Sequence, residues 1–273
     1  MKLSVFFDHV LQAGEQTGKA LEELLTGVRN AGIEAVEINL SYLCGHPEIW
    51  NALQAAELGV SCIYEFYDMG RCDETEKVRR HVETAIKVGA KRILVVPGFL
   101  SGEFSKEMQQ CMPVQENIVG FFESSEEIKR MADGLSFAAK YGAEKGVTVT
   151  VEDFDGLDSP LAGMYGIYWF LQQVPELMYT LDTGNFLFYG EDVSDAFDLL
   201  KDRIAHVHCK DRQPETNASV QTGTGYIPFA WVLEKLKKQN YDGYLAIEHF
   251  DVAGQEECIK GSAEFLKGVV STK

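Results

Sequence analysis

The stretch VTVTVEDF at residues 147–154 reads as a short buried strand that ends on charge. Its alternating Val and Thr residues favour the extended chain, and nothing charged interrupts the run until Glu152. An ionised group at the end of such a run has to be paired or has to bind a metal. Three later runs repeat the pattern. They are LMYTLDTGN at 177–185, ending near Asp182; IAHVHCKD at 204–211, carrying His208; and GYLAIEHF at 243–250, carrying Glu248. Toward the N-terminus, 3–8, 35–40, 60–67 and 92–97 are further strand candidates, apolar on both faces as strands covered by helices are.

Amphipathic stretches separate these runs, among them 19–30, 74–88, 125–145 and 229–239. Ser124 and Ser125 precede Glu126–Glu127 as a helix start. Gly32, Gly59, Gly89 and Gly146 stand where helix-terminating glycines stand, and Pro228 fits a first helical turn. Eight β–α units in 273 residues predict an α/β fold, a (β/α)8 TIM barrel, with residues 1–273 as a single domain. An open doubly wound sheet is the rival, but it usually carries a Gly-rich phosphate turn after its first strand. Here that strand runs into FFDHVLQAGEQ, with no GxGxxG. One connection, residues 98–123, reads as a long Phe- and Met-containing loop, a lid or an oligomer contact.

Lys and Arg number 25 against 42 Asp and Glu, a formal charge of -17. Such a surface repels phosphate backbones, so no nucleic-acid partner is expected. The six cysteines form no CxxC pair and read as reduced thiols of a cytoplasmic protein. The opening apolar run is broken by Asp8 and His9, too early for a signal segment. Nothing approaches the roughly 18 apolar residues of a membrane span, and no membrane partner is expected.

Strand parity sharpens the candidates. His206, His208 and Lys210 share one face, as do Thr148, Thr150 and Glu152, and Tyr244, Ala246 and Glu248. If those faces point inward, Glu152, His208 and Glu248 lie at the catalytic end of a barrel and His206 one layer lower. Glu152, Asp182, His208 and Glu248 together describe an O/N site for a divalent cation. Glu37 and Glu65 end the second and third runs, where each binds a substrate hydroxyl or pairs with a neighbouring side chain. His9 faces the pocket or is an ordinary half-buried histidine. His249 has the parity opposite to Glu248 and is expected to point outward. Phe66 and Phe99 offer a sugar an apolar wall or simply pack.

The motifs VED at 151–153, LDTGN at 181–185, HVHCKD at 206–211, GTG at 223–225 and AIEHF at 246–250 resemble the xylose-isomerase-like family of sugar-phosphate isomerases and epimerases. The resemblance covers nearly the whole chain. It implies one divalent metal ion (Mn, Mg, Co or Zn) held by Glu152, Asp182, His208 and Glu248. It implies a small sugar, keto-sugar or polyol as substrate, and a homodimer or homotetramer is compatible with it. Where the family usually has a histidine, this chain has Asn185, which keeps hydrogen bonding and loses titration. A cation after the metal histidine often holds substrate in this family, so Lys210 and Arg212 are both candidates.

The expected reaction is isomerisation or epimerisation through a metal-stabilised enediolate, with Glu152 and Glu248 moving the proton. A metal-dependent dehydratase or lyase acting on a keto-sugar or keto-glycoside is the alternative. A phosphodiesterase resembling abasic-site endonucleases fits the charge and the six histidines poorly, and a non-catalytic sugar-binding barrel has no need of four ligands.

Overall fold

A computed structural model of the protein describes residues 1–112 and 114–271. Strands and helices alternate along it in the order of an α/β fold of the (β/α)8 TIM-barrel class. The chain forms two compact units. One comprises Met1–Ile63, Val88–Ala90 and His206–Lys273; the other comprises Tyr64–Lys87 and Lys91–Ala205.

In the first unit, β1 (Lys2–Phe6) pairs in parallel with β2 (Ala35–Asn39) on one side and with β9 (Tyr244–Glu248) on the other. Strand β7 (Ile204–Arg212) runs parallel to β9 in a register that sets His208 opposite Ala246 and Lys210 opposite Glu248. A two-residue strand, β8 (Ser219–Val220), folds back antiparallel on the end of β7. Most of β3 (Gly59–Phe66) also belongs here. Val5, Val36, Ile38, Val207, Leu245 and Ile247 are all buried, as expected of strands with helices over one face and packed side chains over the other.

In the second unit, β4 (Arg92–Val96), β5 (Thr148–Glu152) and β6 (Met178–Asp182) form a parallel run. The helix Glu126–Lys145 starts at Ser125, whose side chain accepts the Ile128 N–H, and ends at Gly146 in the left-handed region. A Cβ on Gly142 would sit 2.6 Å from Val149 Cγ2 and 2.7 Å from the Val147 carbonyl oxygen, so only glycine lets this helix close on β5.

The structure corrects several expectations. β1 stops at Phe6, and Phe7–Thr17 is a helix that follows with no intervening loop, so Asp8 and His9 are helical. The 98–123 segment is not a loop, because Gly102–Cys111 and Gln115–Ser124 are helices. Phe122 of the latter packs its ring 5.3 Å from Trp169 and 5.7 Å from Phe170. Residue 113 of that segment lies outside the described residues. Gly59 opens β3, and the left-handed residue before it is Glu57, with φ 56°. Pro228 caps the helix Phe229–Lys238 from just outside its first turn.

Candidate metal-binding and catalytic residues

Glu37 of β2 holds the first unit's part of the site together. Its Oε2 lies 2.8 Å from His206 Nε2 and its Oε1 lies 3.1 Å from His208 Nε2, and all three side chains are fully buried. Burial alone would raise the Glu37 carboxyl, but the imidazoles of His208 and His206 outweigh it and hold the group at about 2. The other ring nitrogen of His208, Nδ1, is 3.1 Å from Glu248 Oε2. Lys210 Nζ is 2.6 Å from Glu248 Oε1. Burial works to raise Glu248, yet Lys210 and then His208 pull it well below the ordinary carboxylate range. The Phe6 ring stands edge-on to His208 at 4.9 Å.

Alternation along β7 puts Asp211 on the side away from Lys210. Asp211 Oδ2 accepts the N–H groups of Gly223 and Gly225, each at 2.8 Å, and Oδ1 accepts those of Arg212 and Ile227. One carboxylate therefore ties down the whole GTG turn. A side chain at Gly225 would collide with that carboxylate, and Gly223 sits at φ 92°. Arg212 is buried, and its guanidinium donates to the Asn217 carbonyl at 2.6 Å.

His249 follows Glu248 with the opposite parity. It is fully buried and stacks on His9 at 4.9 Å with the rings 18° apart, and its backbone N–H donates to His9 Nε2 at 2.9 Å. Burial pulls the His249 imidazole below its usual value; burial and then His249 pull that of His9 well below. His9 is therefore fully buried rather than half-buried.

In the second unit, Glu152 and Asp182 terminate adjacent strands and are buried. Asp182 Oδ1 accepts the N–H groups of Gly184 at 2.7 Å and Asn185 at 2.9 Å, which explains why TGN follows it. Asn185 donates from Nδ2 to the Asp153 carbonyl at 2.7 Å. Asp153 was not among the candidate site residues. Its Oδ1 accepts the Asp182 N–H at 2.9 Å and a short hydrogen bond from the Tyr179 hydroxyl. Burial, then the charge of Asp182, pushes the Asp153 carboxyl well above its ordinary value. Its signal in the sequence is its place in the VED motif, next to Glu152.

Glu65 accepts the N–H of Phe66 at 2.8 Å and lies 3.4 Å from Lys77 Nζ. Beside it, the Phe66, Phe99 and Phe154 rings form a cluster, with Phe99 and Phe154 5.2 Å apart and Phe66 41% exposed. All six cysteines are free thiols, and no described helix is long and apolar enough to cross a membrane.

A family model described as xylose isomerase-like TIM barrel matches residues 25–269. Inosose dehydratase of Clostridium botulinum (strain Alaska E43 / Type E3) is 25% identical over 90% of this chain and 87% of its own length. A provisionally named L-ribulose-5-phosphate 3-epimerase, SgbU of Escherichia coli (strain K12), is 30% identical, but the match spans only 48% of each chain. The crystal structure of a D-tagatose 3-epimerase-like protein superposes with a TM-score of 0.73 at 20% identity, covering 99% of this chain and 97% of the other.

Proposed function

Because the chain belongs to the xylose isomerase-like TIM barrel family, a family whose members here include sugar epimerases and dehydratases, we propose that it is a divalent-metal-dependent isomerase or epimerase of a small sugar, keto-sugar or related polyol. In this reading Glu152, Asp182, His208 and Glu248 hold one ion of Mn, Mg, Co or Zn. The observation that supports it most is the buried pair at the ends of β7 and β9. His208 Nδ1 and Glu248 Oε2 face each other at 3.1 Å, a donor pair whose burial makes sense with a cation beside it.

A cation there supplies Lewis-acid polarisation of a substrate carbonyl and its neighbouring hydroxyl, which acidifies the carbon-bound proton between them. Glu248, kept ionised by the Lys210 ammonium, is the base that takes this proton, and Glu152 returns one to the adjacent position or the opposite face. Asp182 and His208 are ligands only. Lys210, bonded to Glu248, also carries a cation toward substrate oxygens, and Arg212 secures the 213–218 turn. Asn185, Glu65 and His9 complete the substrate side. Phe66, Phe99 and Phe154 provide an apolar wall.

The inosose dehydratase match, which runs nearly end to end, favours elimination as the second reading. There one carboxyl group takes the proton beside the carbonyl, and the other protonates the hydroxyl that departs as water. Keto-sugars and inososes incubated in D2O separate the two. An epimerase returns an isomer of unchanged composition that carries solvent deuterium. A product lighter by one water establishes the dehydratase, and no exchange with any keto-sugar would overturn both.

A further inference from the structure

The Glu37–His206–His208 cluster lies outside the four proposed ligands, and its geometry states what it does. Glu37 is a carboxylate, which has no proton to donate, so at 2.8 and 3.1 Å both imidazoles must donate to it through Nε2–H. His208 then has Nε2 as its protonated nitrogen, and its Nδ1, 3.1 Å from Glu248 Oε2, is the atom that would ligate the proposed cation. We propose that Glu37 is a positioning residue for the metal site, selecting the His208 tautomer and fixing its ring plane, with His206 holding Glu37 in turn. This inference rests on the proposed metal site and deepens it.

Three features support it. Glu37 belongs to β2 and the two histidines to β7, 169 and 171 residues away, so the arrangement is not a by-product of local chain geometry. Each carboxylate oxygen serves one imidazole, which makes Glu37 a two-point clamp rather than a single contact. A buried carboxylate costs stability unless it is paired, so its presence in a fully buried layer calls for a role. Carboxylates that take the second N–H of a ligating imidazole commonly raise its basicity and order its orientation, and losing them weakens metal binding about 10- to 100-fold.

Glu37→Gln is the direct test. A glutamine offers one acceptor oxygen, and its amide NH2 turned toward the second imidazole meets an N–H. Mn(II) binding would be titrated by electron paramagnetic resonance for the wild-type protein, E37Q, H206Q and H208A. The expectation is one ion per wild-type chain, an affinity lowered about 10- to 100-fold in E37Q, a smaller loss in H206Q and no tight binding in H208A. Wild-type affinity in E37Q, with binding lost in H208A, overturns the inference and leaves the metal site standing. Wild-type affinity in H208A overturns the metal site and the inference with it. Two ions per wild-type chain, one of them lost in E37Q, would also overturn the inference, because Glu37 would then be a ligand itself. Should E37Q fail to fold, nitrogen-15 NMR of the zinc-loaded wild-type protein decides: His208 is expected protonated on Nε2 and ligated through Nδ1, and the reverse assignment overturns the inference.

Discussion

Glu248 shows how much one side chain's role depends on its neighbours. Burial alone would favour its neutral form, and Lys210 and His208 reverse that preference. Glu248→Gln keeps the shape and removes the base, so turnover in the deuterium-exchange assay is expected to fall by about 10²- to 10⁴-fold with the circular dichroism spectrum unchanged. Glu152→Gln is expected to behave alike, and wild-type exchange in either would sink the two-glutamate mechanism. Glu191 is an opposite case. Burial raises its carboxyl above the ordinary value, although its Oε2 accepts the Met164 N–H at 2.9 Å. A raised folded-state value means that the fold favours the protonated form, so stability is lost as pH rises through that window. Glu191→Gln should therefore stabilise the protein more at pH 7 than at pH 4, and melting curves showing the same gain at both would contradict it.

At the scale of elements, strands were legible and two kinds of helix were not. The parallel strands, Met178–Asp182 among them, match their sequence runs to within a few residues, because a β-branched run bounded by turn residues is a local signal. The helix Phe7–Thr17 was hidden because an apolar strand feeds straight into it and Gly14 weakens its propensity; a Cβ there would stand 3.3 Å from Leu24. The helices Gly102–Cys111 and Gln115–Ser124 carry little sequence signal and are held by burial of Met108, Ile118, Phe121 and Phe122. Packing also outweighs propensity at Gly142. Alanine gains about 1 kcal/mol in a helix interior, but overpacking costs about 1–3 kcal/mol, and one of the atoms in the way is the Val147 carbonyl oxygen. Gly142→Ala is therefore expected to lower the melting temperature, and a rise would show that β5 can shift.

For the whole molecule, the (β/α)8 class and the family follow from the order of elements and from motifs spread along the chain. A metal that binds only the folded protein stabilises it by mass action. At an ion concentration of 100 times Kd the gain is about 2.7 kcal/mol, or roughly 5–10 °C in a chain somewhat above the 150–250-residue range. Chelation is expected to lower the melting temperature by that order, and Asp182→Asn should abolish the difference. An identical melting curve with and without chelator, after metal analysis shows that the ion was present, would argue against a bound ion.

The sequence by itself determined the order of the parallel strands and the acids at their ends, because a β-branched run and alternation along a strand are local properties. It also contained Asp211 and the GTG motif as separate signals, with nothing to link them. Only the tertiary structure decided that Glu37 clamps both histidines, that Asp211 closes the turn through Gly223, Gly225 and Ile227, that Asp153 anchors Asp182, and that His249 is buried against His9. The partner of a buried charge is chosen by segments distant along the chain, and no periodicity within one strand records that choice.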